Sequence, residues 1–265
     1  MCRLVAYHAE QPRGAADLLV TDPHALLKQS CGDRRGECHE DGWGIGFFDA
    51  RGNARCVHST SPASADTQWT QTAEAVRSRT LLGHVRQASV GSLSIENTHP
   101  FVCGRWMFMH NGTINGFEQV APRLQRECHR KLLPCRKGST DSELVFYWLL
   151  SLAAKQGIDA VGDEPSDPAV WMSVVREAFG RLVAWSNEAA PSEPSRLNFV
   201  WTDGRVLFAT RWNHSLWWQP RTEAESGRVM LVASEPTDES AWREIPDRSI
   251  LWVDDRFDSS LEPLD

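Results

Sequence analysis

No apolar run in this 265-residue chain approaches the ~18 residues needed to cross a bilayer. The longest candidate, Leu144 to Ala154, is too short and carries Ser151. The chain does not open on a basic stretch followed by an apolar one, so no signal peptide is read and a cytoplasmic location is expected. There is no CxxC pair, internal repeat or low-complexity tract. Positive charge is outnumbered, 28 Lys and Arg against 35 Asp and Glu, for a net charge of −7. Nucleic acid is therefore not expected as a partner, because phosphate binding needs a clustered positive field. Lysine is scarce (4 residues against 24 Arg), and so is tyrosine (2 against 12 Trp), which leaves Trp as the large rigid anchor of core or pocket. The seven cysteines are odd in number and lack a secretion signal, which argues against a disulfide scaffold. Two groupings invite a metal check, Cys31, Cys38 and His39, then Cys128, His129 and Cys135. Neither has the spacing of a four-ligand zinc site, so these read as small thiols and no metal is expected.

Strand and helix signals are well separated. Apolar runs predict strands at Cys2–Tyr7, Gly42–Phe48, Leu81–Val85, Trp106–His110, Val229–Ala233 and Ile250–Val253. Leu197–Trp201, an Asp203-Gly204 turn and Val206–Trp212 predict a hairpin. Helices are predicted near Ala25–Gln29, over Thr67–Arg79, over Asp141–Gln156 behind a Thr140/Glu143 capping box, and from Pro168 to about Trp185. Asn187–Ser195 reads as a surface loop. Antiparallel-looking strand clusters separated by helices favour a layered α+β fold in a single domain over residues 2–265.

Cys2 carries the most chemistry. Initiator Met removal is expected before so small a residue, leaving a thiol and a free α-amine on adjacent carbons. The amine titrates at about 7.7–8.0 and the thiol at about 8.5, so the amine is suited to act as general base for its own side chain. Three other segments offer partners. His84-Val85-Arg86-Gln87-Ala88 ends a strand, and Arg86 is either a solvated arginine or a bidentate carboxylate holder. His110-Asn111-Gly112 is either a hairpin turn or an oxyanion hole built from the Asn111 amide and the Gly112 N–H. Asp141, opening a helix, either complements the helix dipole or holds an ammonium group. Asp41-Gly42-Trp43-Gly44-Ile45-Gly46 lacks the dinucleotide glycine spacing and reads as a tightly packed strand, and no cofactor is expected.

In order, Met-Cys-Arg, Asp-Gly-Trp-Gly-Ile-Gly-Phe, His-x-Arg-x-Ala, Asn97-x-His99-Pro100-Phe101, His-Asn-Gly and Thr140-Asp141-Ser142-Glu143 resemble the class II glutamine amidotransferases, which are N-terminal nucleophile hydrolases. Ser234-Glu235-Pro236 and Trp242 extend the resemblance to the small stand-alone members. It implies a four-layer αββα sandwich of two antiparallel sheets flanked by helices. It implies Cys2 as nucleophile on a γ-glutamyl amide, with Asn111 and Gly112 as oxyanion hole. It assigns Arg86 to the α-carboxylate and Asp141 to the α-amine, with His84 and Ala88 in the substrate-binding motif. Gln87, Ser89 and Val90 depart from the larger synthase members, and no synthase domain is expected.

Three functions are consistent with this pattern. One is a glutaminase-type amidotransferase that acts on glutamine and passes ammonia to a separate synthase or acceptor subunit. Another is an amidohydrolase of γ-glutamyl peptides or thiol conjugates in thiol metabolism. The third, an amino-acid-sensing module, would not need Cys2. Arg123, Arg126, Arg130, Lys131, Arg136 and Lys137 form either a solvated face or the wall of a leaving-group pocket.

Overall fold

The computed structural model describes residues 2–159 and 167–264, and Met1, whose removal is expected, lies outside them. The described chain runs β1 (Arg3–Gly14), α1 (Leu26–Cys31), β2 (Trp43–Phe48), β3 (Ala54–Ser59), α2 (Thr67–Ala75), β4 (Arg77–Val85), β5 (Phe101–Cys103) and β6 (Trp106–Thr113). It continues through α3 (Phe117–Glu127), α4 (Asp141–Lys155) and α5 (Pro168–Ala189). The last part is β7 (Arg196–Thr202), β8 (Val206–Arg211), β9 (Trp217–Glu223), β10 (Gly227–Ala233), β11 (Arg243–Glu244), β12 (Ser249–Asp254) and β13 (Ser259–Pro263).

The strands form two sheets, ordered β11-β9-β10-β1-β4-β2-β3 and β13-β12-β8-β7-β6-β5, with antiparallel pairing throughout. The alternation of side chains along β1 shows how the layers arise. Val5, Tyr7 and Ala9 pack outward with Leu26, Trp69 and Ala73 of α1 and α2. Leu4 and Ala6 pack inward against Met107, Met109 and Val200 of the other sheet. Beyond that second sheet, Phe108, Phe199 and Phe208 meet Phe146, Trp171 and Phe179 of α4 and α5. The result is the αββα sandwich that the resemblance implied.

The alternating glycines of β2 have a packing cause. A Cβ on Gly44 would lie 2.0 Å from the His99 carbonyl oxygen, and one on Gly46 would lie 2.8 Å from Met107 Sδ. Only glycine lets the sheets approach so closely there. The capping box is half present: the Thr140 hydroxyl accepts from the Glu143 N–H at 3.2 Å. The Glu143 carboxylate turns instead to the N–H groups of Lys137 and Gly138.

Some predicted boundaries differ. The helix expected over Thr67–Arg79 stops at Ala75, and Arg77–Arg79 extend β4, because Ser78 and Arg77 pair with Arg13 and Gly14 of β1. The loop expected from Asn187 begins later, since α5 runs on to Ala189. Helix α3 and strands β3, β5, β9, β11 and β13 are not among the predicted elements.

Candidate active site

Cys2 stands immediately before β1, and the register Arg3↔Val85 sets it beside Arg86 and Gln87 at the end of β4. The Gln87 N–H points at Cys2 Sγ and the thiol faces the Gln87 carbonyl, each at 3.4 Å. Burial pushes the Cys2 thiol pKa up, while the Gln87 contact and the charge of Arg86 pull it down.

Asn111 and Gly112 lie near the end of β6, in the opposite sheet. Asn111 is fully buried, and its Nδ2 crosses between the sheets to donate to Ser234 Oγ at 3.2 Å. That hydroxyl in turn accepts from the Leu4 N–H at 2.8 Å, two residues from Cys2. The Asn111 Oδ1 has no hydrogen-bond partner among the described residues. Gly112 is needed for space, since a Cβ would lie 1.9 Å from the Arg196 carbonyl oxygen.

Asp141 opens α4 and is 3% exposed. Its Oδ2 accepts from the Ile114 N–H at 2.9 Å, tying the helix to the chain just after Gly112. Its Oδ1 lies 3.0 Å from Ser142 Oγ, which is 2.9 Å from His110 Nδ1, while His110 Nε2 donates to the Arg196 carbonyl at 2.9 Å. Burial lowers the His110 pKa, opposed by the Asp141 charge and the Arg196 carbonyl.

Arg86 is 3% exposed, and its two terminal nitrogens donate to the carbonyls of Val90, Gly91 and Ser92 at 3.1, 3.4 and 3.1 Å. A guanidinium has five donors, so these contacts leave others for a carboxylate. The Ala88 N–H donates to Asp41 Oδ2 at 2.7 Å, which anchors the loop that follows Arg86. His84 is buried between the sheets. Its ring lies tilted against that of His99, centroids 4.4 Å apart, its Nε2 lies 3.4 Å from the His110 carbonyl, and burial lowers its pKa to about 3. It underlies the site from the core side. Cys2, Arg86, Asn111, Gly112 and Asp141 thus gather at one end of the sandwich.

Sequence reasoning missed the device that anchors Cys2. Arg3 is buried and donates through Nη1 to the Cys2 carbonyl at 2.9 Å, while Nε reaches Glu235 Oε1 at 3.1 Å and Nη2 pairs with Asp33. Asp33 also meets His39 Nε2 at 3.2 Å and accepts the N–H groups of Arg35 and Glu37. Desolvation pushes the Asp33 carboxyl up, but those N–H groups and the Arg3 charge outweigh it and hold its pKa below the usual range. The only signal in the sequence was Arg3 within Met-Cys-Arg. His214 was also missed. It is buried, its Nε2 has no partner among the described residues, and burial followed by the charges of Arg3, Arg35 and Arg196 lowers its pKa to about 4.

The basic run that begins within α3 does not act as one surface. Arg123 pairs with Glu188 of α5, Arg136 donates to the Thr140 carbonyl, and Lys137 borders a separate cavity of about 270 Å³ with Glu96, Glu143 and His58. Of the cysteine groupings, His39 is taken up by Asp33, and Cys38 donates to the Cys31 carbonyl.

Residues 1–232 match the family described as glutamine amidotransferases class-II. The chain is 32% identical over 260 residues to a gamma-glutamyl-hercynylcysteine sulfoxide hydrolase of Mycolicibacterium smegmatis, covering 96% of each chain. It is 29% identical to the probable glutamine amidotransferase DUG3 of Saccharomyces cerevisiae, covering 96% of this chain and 82% of that one. Among solved structures, a glutamine aminotransferase class-II domain protein from Silicibacter pomeroyi superposes over the whole of both chains with a TM-score of 0.70 at 24% identity, a likeness of fold.

Proposed function

The chain belongs to the class-II glutamine amidotransferases and is an amide-hydrolysing enzyme of that family, and from that premise we propose that it is a Cys2-dependent hydrolase of γ-glutamyl amides that releases glutamate and a free amine. The observation that carries this reading is the convergence of Arg86, Asp141 and the Asn111-Gly112 pair on the Cys2 end of the sandwich. A guanidinium and a carboxylate set apart suit the zwitterionic end of an α-amino acid, and clamping that end holds the distal amide near the thiol.

With Met1 removed, the α-amine of Cys2 takes the thiol proton as Sγ attacks the γ-carbonyl carbon. The carbonyl oxygen becomes an oxyanion facing the Asn111 amide and the Gly112 N–H. Collapse breaks the C–N bond, the departing amine receives the proton, and a γ-glutamyl thioester remains. Water then attacks the thioester, yielding glutamate and restoring the thiol. Burial raises the Cys2 thiol pKa, which makes a nearby base necessary rather than optional.

The near full-length likeness to a relative named for hydrolysis of a γ-glutamyl conjugate favours an amide larger than glutamine as substrate. Transfer of ammonia from glutamine to a separate acceptor subunit is the second reading, favoured by the likeness to a probable glutamine amidotransferase. Glutamate release from L-glutamine, γ-glutamylglycine and γ-glutamylcysteine, with Cys2→Ala as control, tests both. Faster turnover of the dipeptides supports the hydrolase, and turnover of glutamine alone supports ammonia transfer. Wild-type release that Cys2→Ala retains refutes the common mechanism.

A further inference from the structure

The two halves of the proposed clamp belong to different parts of the chain. Arg86 follows directly on β4 of one sheet, and Asp141 opens α4 on the outer side of the other. Their separation must be fixed by something that touches both segments. One side chain does so.

Asn97 is 2% exposed, although residues 91–96 before it are largely exposed. Its Nδ2 donates to the Ser92 carbonyl at 3.0 Å and lies 3.3 Å from Ser92 Oγ and 3.4 Å from Ser139 Oγ. Its Oδ1 accepts the Ser139 N–H at 2.8 Å. Because a carbonyl only accepts and an N–H only donates, these partners fix the orientation of the amide. Ser92 belongs to the loop whose carbonyls hold the Arg86 guanidinium. Ser139 lies two residues before Asp141.

Two glycines enclose the amide. A Cβ on Gly91, whose φ is +81°, would lie 3.0 Å from Asn97 Nδ2, and one on Gly138 would lie 2.4 Å from Asn97 Oδ1. The backbones of both segments therefore close onto this side chain, leaving no room for a longer bridge.

We propose that Asn97 is a positioning residue that sets the distance between Arg86 and Asp141 and so makes the site select ligands carrying both an α-carboxylate and an α-amine. This rests on the proposed γ-glutamyl reading, but its test needs no turnover. A ligand that spans both holders senses their separation, whereas one lacking the amine does not.

The probes are L-glutamate and glutarate, their affinities measured by calorimetry on wild type, Asn97→Ala and Asn97→Asp, with melting temperature as a check on folding. Asn97→Asp keeps the volume and the acceptor for the Ser139 N–H but sets a carboxylate oxygen against the Ser92 carbonyl. It carries the test if Asn97→Ala fails to fold. The expected result is that Kd for L-glutamate rises about tenfold or more, the effect of losing one or two buried hydrogen bonds, while Kd for glutarate changes less than about threefold. Equal rises for both ligands, or no rise for either, would overturn the proposal. If wild type binds L-glutamate more tightly than glutarate and hydrolyses no γ-glutamyl amide, the functional reading has failed while the clamp stands.

Discussion

Acidification should unfold this protein well above the pH at which carboxylates usually fail. His8, His39 and His84 are fully buried and His214 is 7% exposed. Burial, the largest cause in each case, lowers their pKa values to about 3, 4, 3 and 4. Arginine charges add to it: Arg79 at His8, Arg3 at His39, Arg86 at His84, and Arg3 with Arg35 and Arg196 at His214. An unfolded histidine titrates near 6.5, so between pH 6.5 and the folded values the unfolded chain binds protons that the folded chain refuses. A folded pKa lowered in this way contributes its full stability above pH 6.5 and loses it as the pH falls. At pH 5 each such group forfeits about 2 kcal/mol, or on the order of 8 kcal/mol for the four. That is comparable to the whole stability of a typical domain, about 5–15 kcal/mol. The buried carboxyls of Glu143 and Asp203, whose pKa values burial raises, offset a smaller part. Urea unfolding followed by Trp fluorescence between pH 8 and 5 should show stability falling by at least about 3 kcal/mol. Imidazole NMR should show these four rings untitrated until the fold is lost. Stability constant within about 1 kcal/mol down to pH 5, or any of these rings titrating near 6.5 in the folded state, would refute the reasoning.

Arg3→Met leaves Asp33 and Glu235 buried without their cation and frees the Cys2 carbonyl. Breaking a buried pair from one side costs about 3–5 kcal/mol, so urea unfolding at pH 7.5 should show a loss of that order, and a loss below about 1 kcal/mol would mean the network is not what anchors residue 3. Gly112→Ala forces the backbone away from the Arg196 carbonyl and from His110 Nε2, which a Cβ would approach to 2.6 Å. Displacing an oxyanion donor lowers kcat on the order of 10²–10³-fold, and steady-state kinetics should show that fall with KM nearly unchanged. A kcat within threefold of wild type would remove Gly112 from the oxyanion site.

Much of the candidate site was legible because its chemistry is carried by short motifs. Cys2 at a free amine, Asn111-Gly112 after an apolar strand and Asp141 at a capped helix start each suggest a role locally. Their gathering at one end of the sandwich followed from strand ends that the apolar runs placed nearly correctly. What was hidden depends on partners far apart in the chain. Arg3 meets Asp33 and Glu235 across 30 and 232 residues, and Asn97 meets Ser139 across 42. No local pattern marks such pairings. The α2–β4 boundary was missed because Arg77 and Ser78 are polar and helix-compatible, while their strand state comes from pairing with β1. The short edge strands β3 and β5 carry too few inward apolar side chains to give a period-two signal. His84 and His99 come from two of the motifs, and their rings meet in the core between the sheets, a contact across 15 residues that neither motif marks.

Hydrolysis as proposed requires Cys2 to be the N-terminal nucleophile of a glutamyl-shaped site. Intact mass of the purified enzyme, before and after exposure to the glutamine-mimicking diazoketone 6-diazo-5-oxo-L-norleucine, tests this most directly. The predicted result is a chain lacking Met1 that gains one adduct, mapped by peptide digestion to Cys2 and prevented by excess L-glutamate. A fully active preparation that retains Met1, or an adduct on another cysteine with Cys2 unmodified, would contradict it.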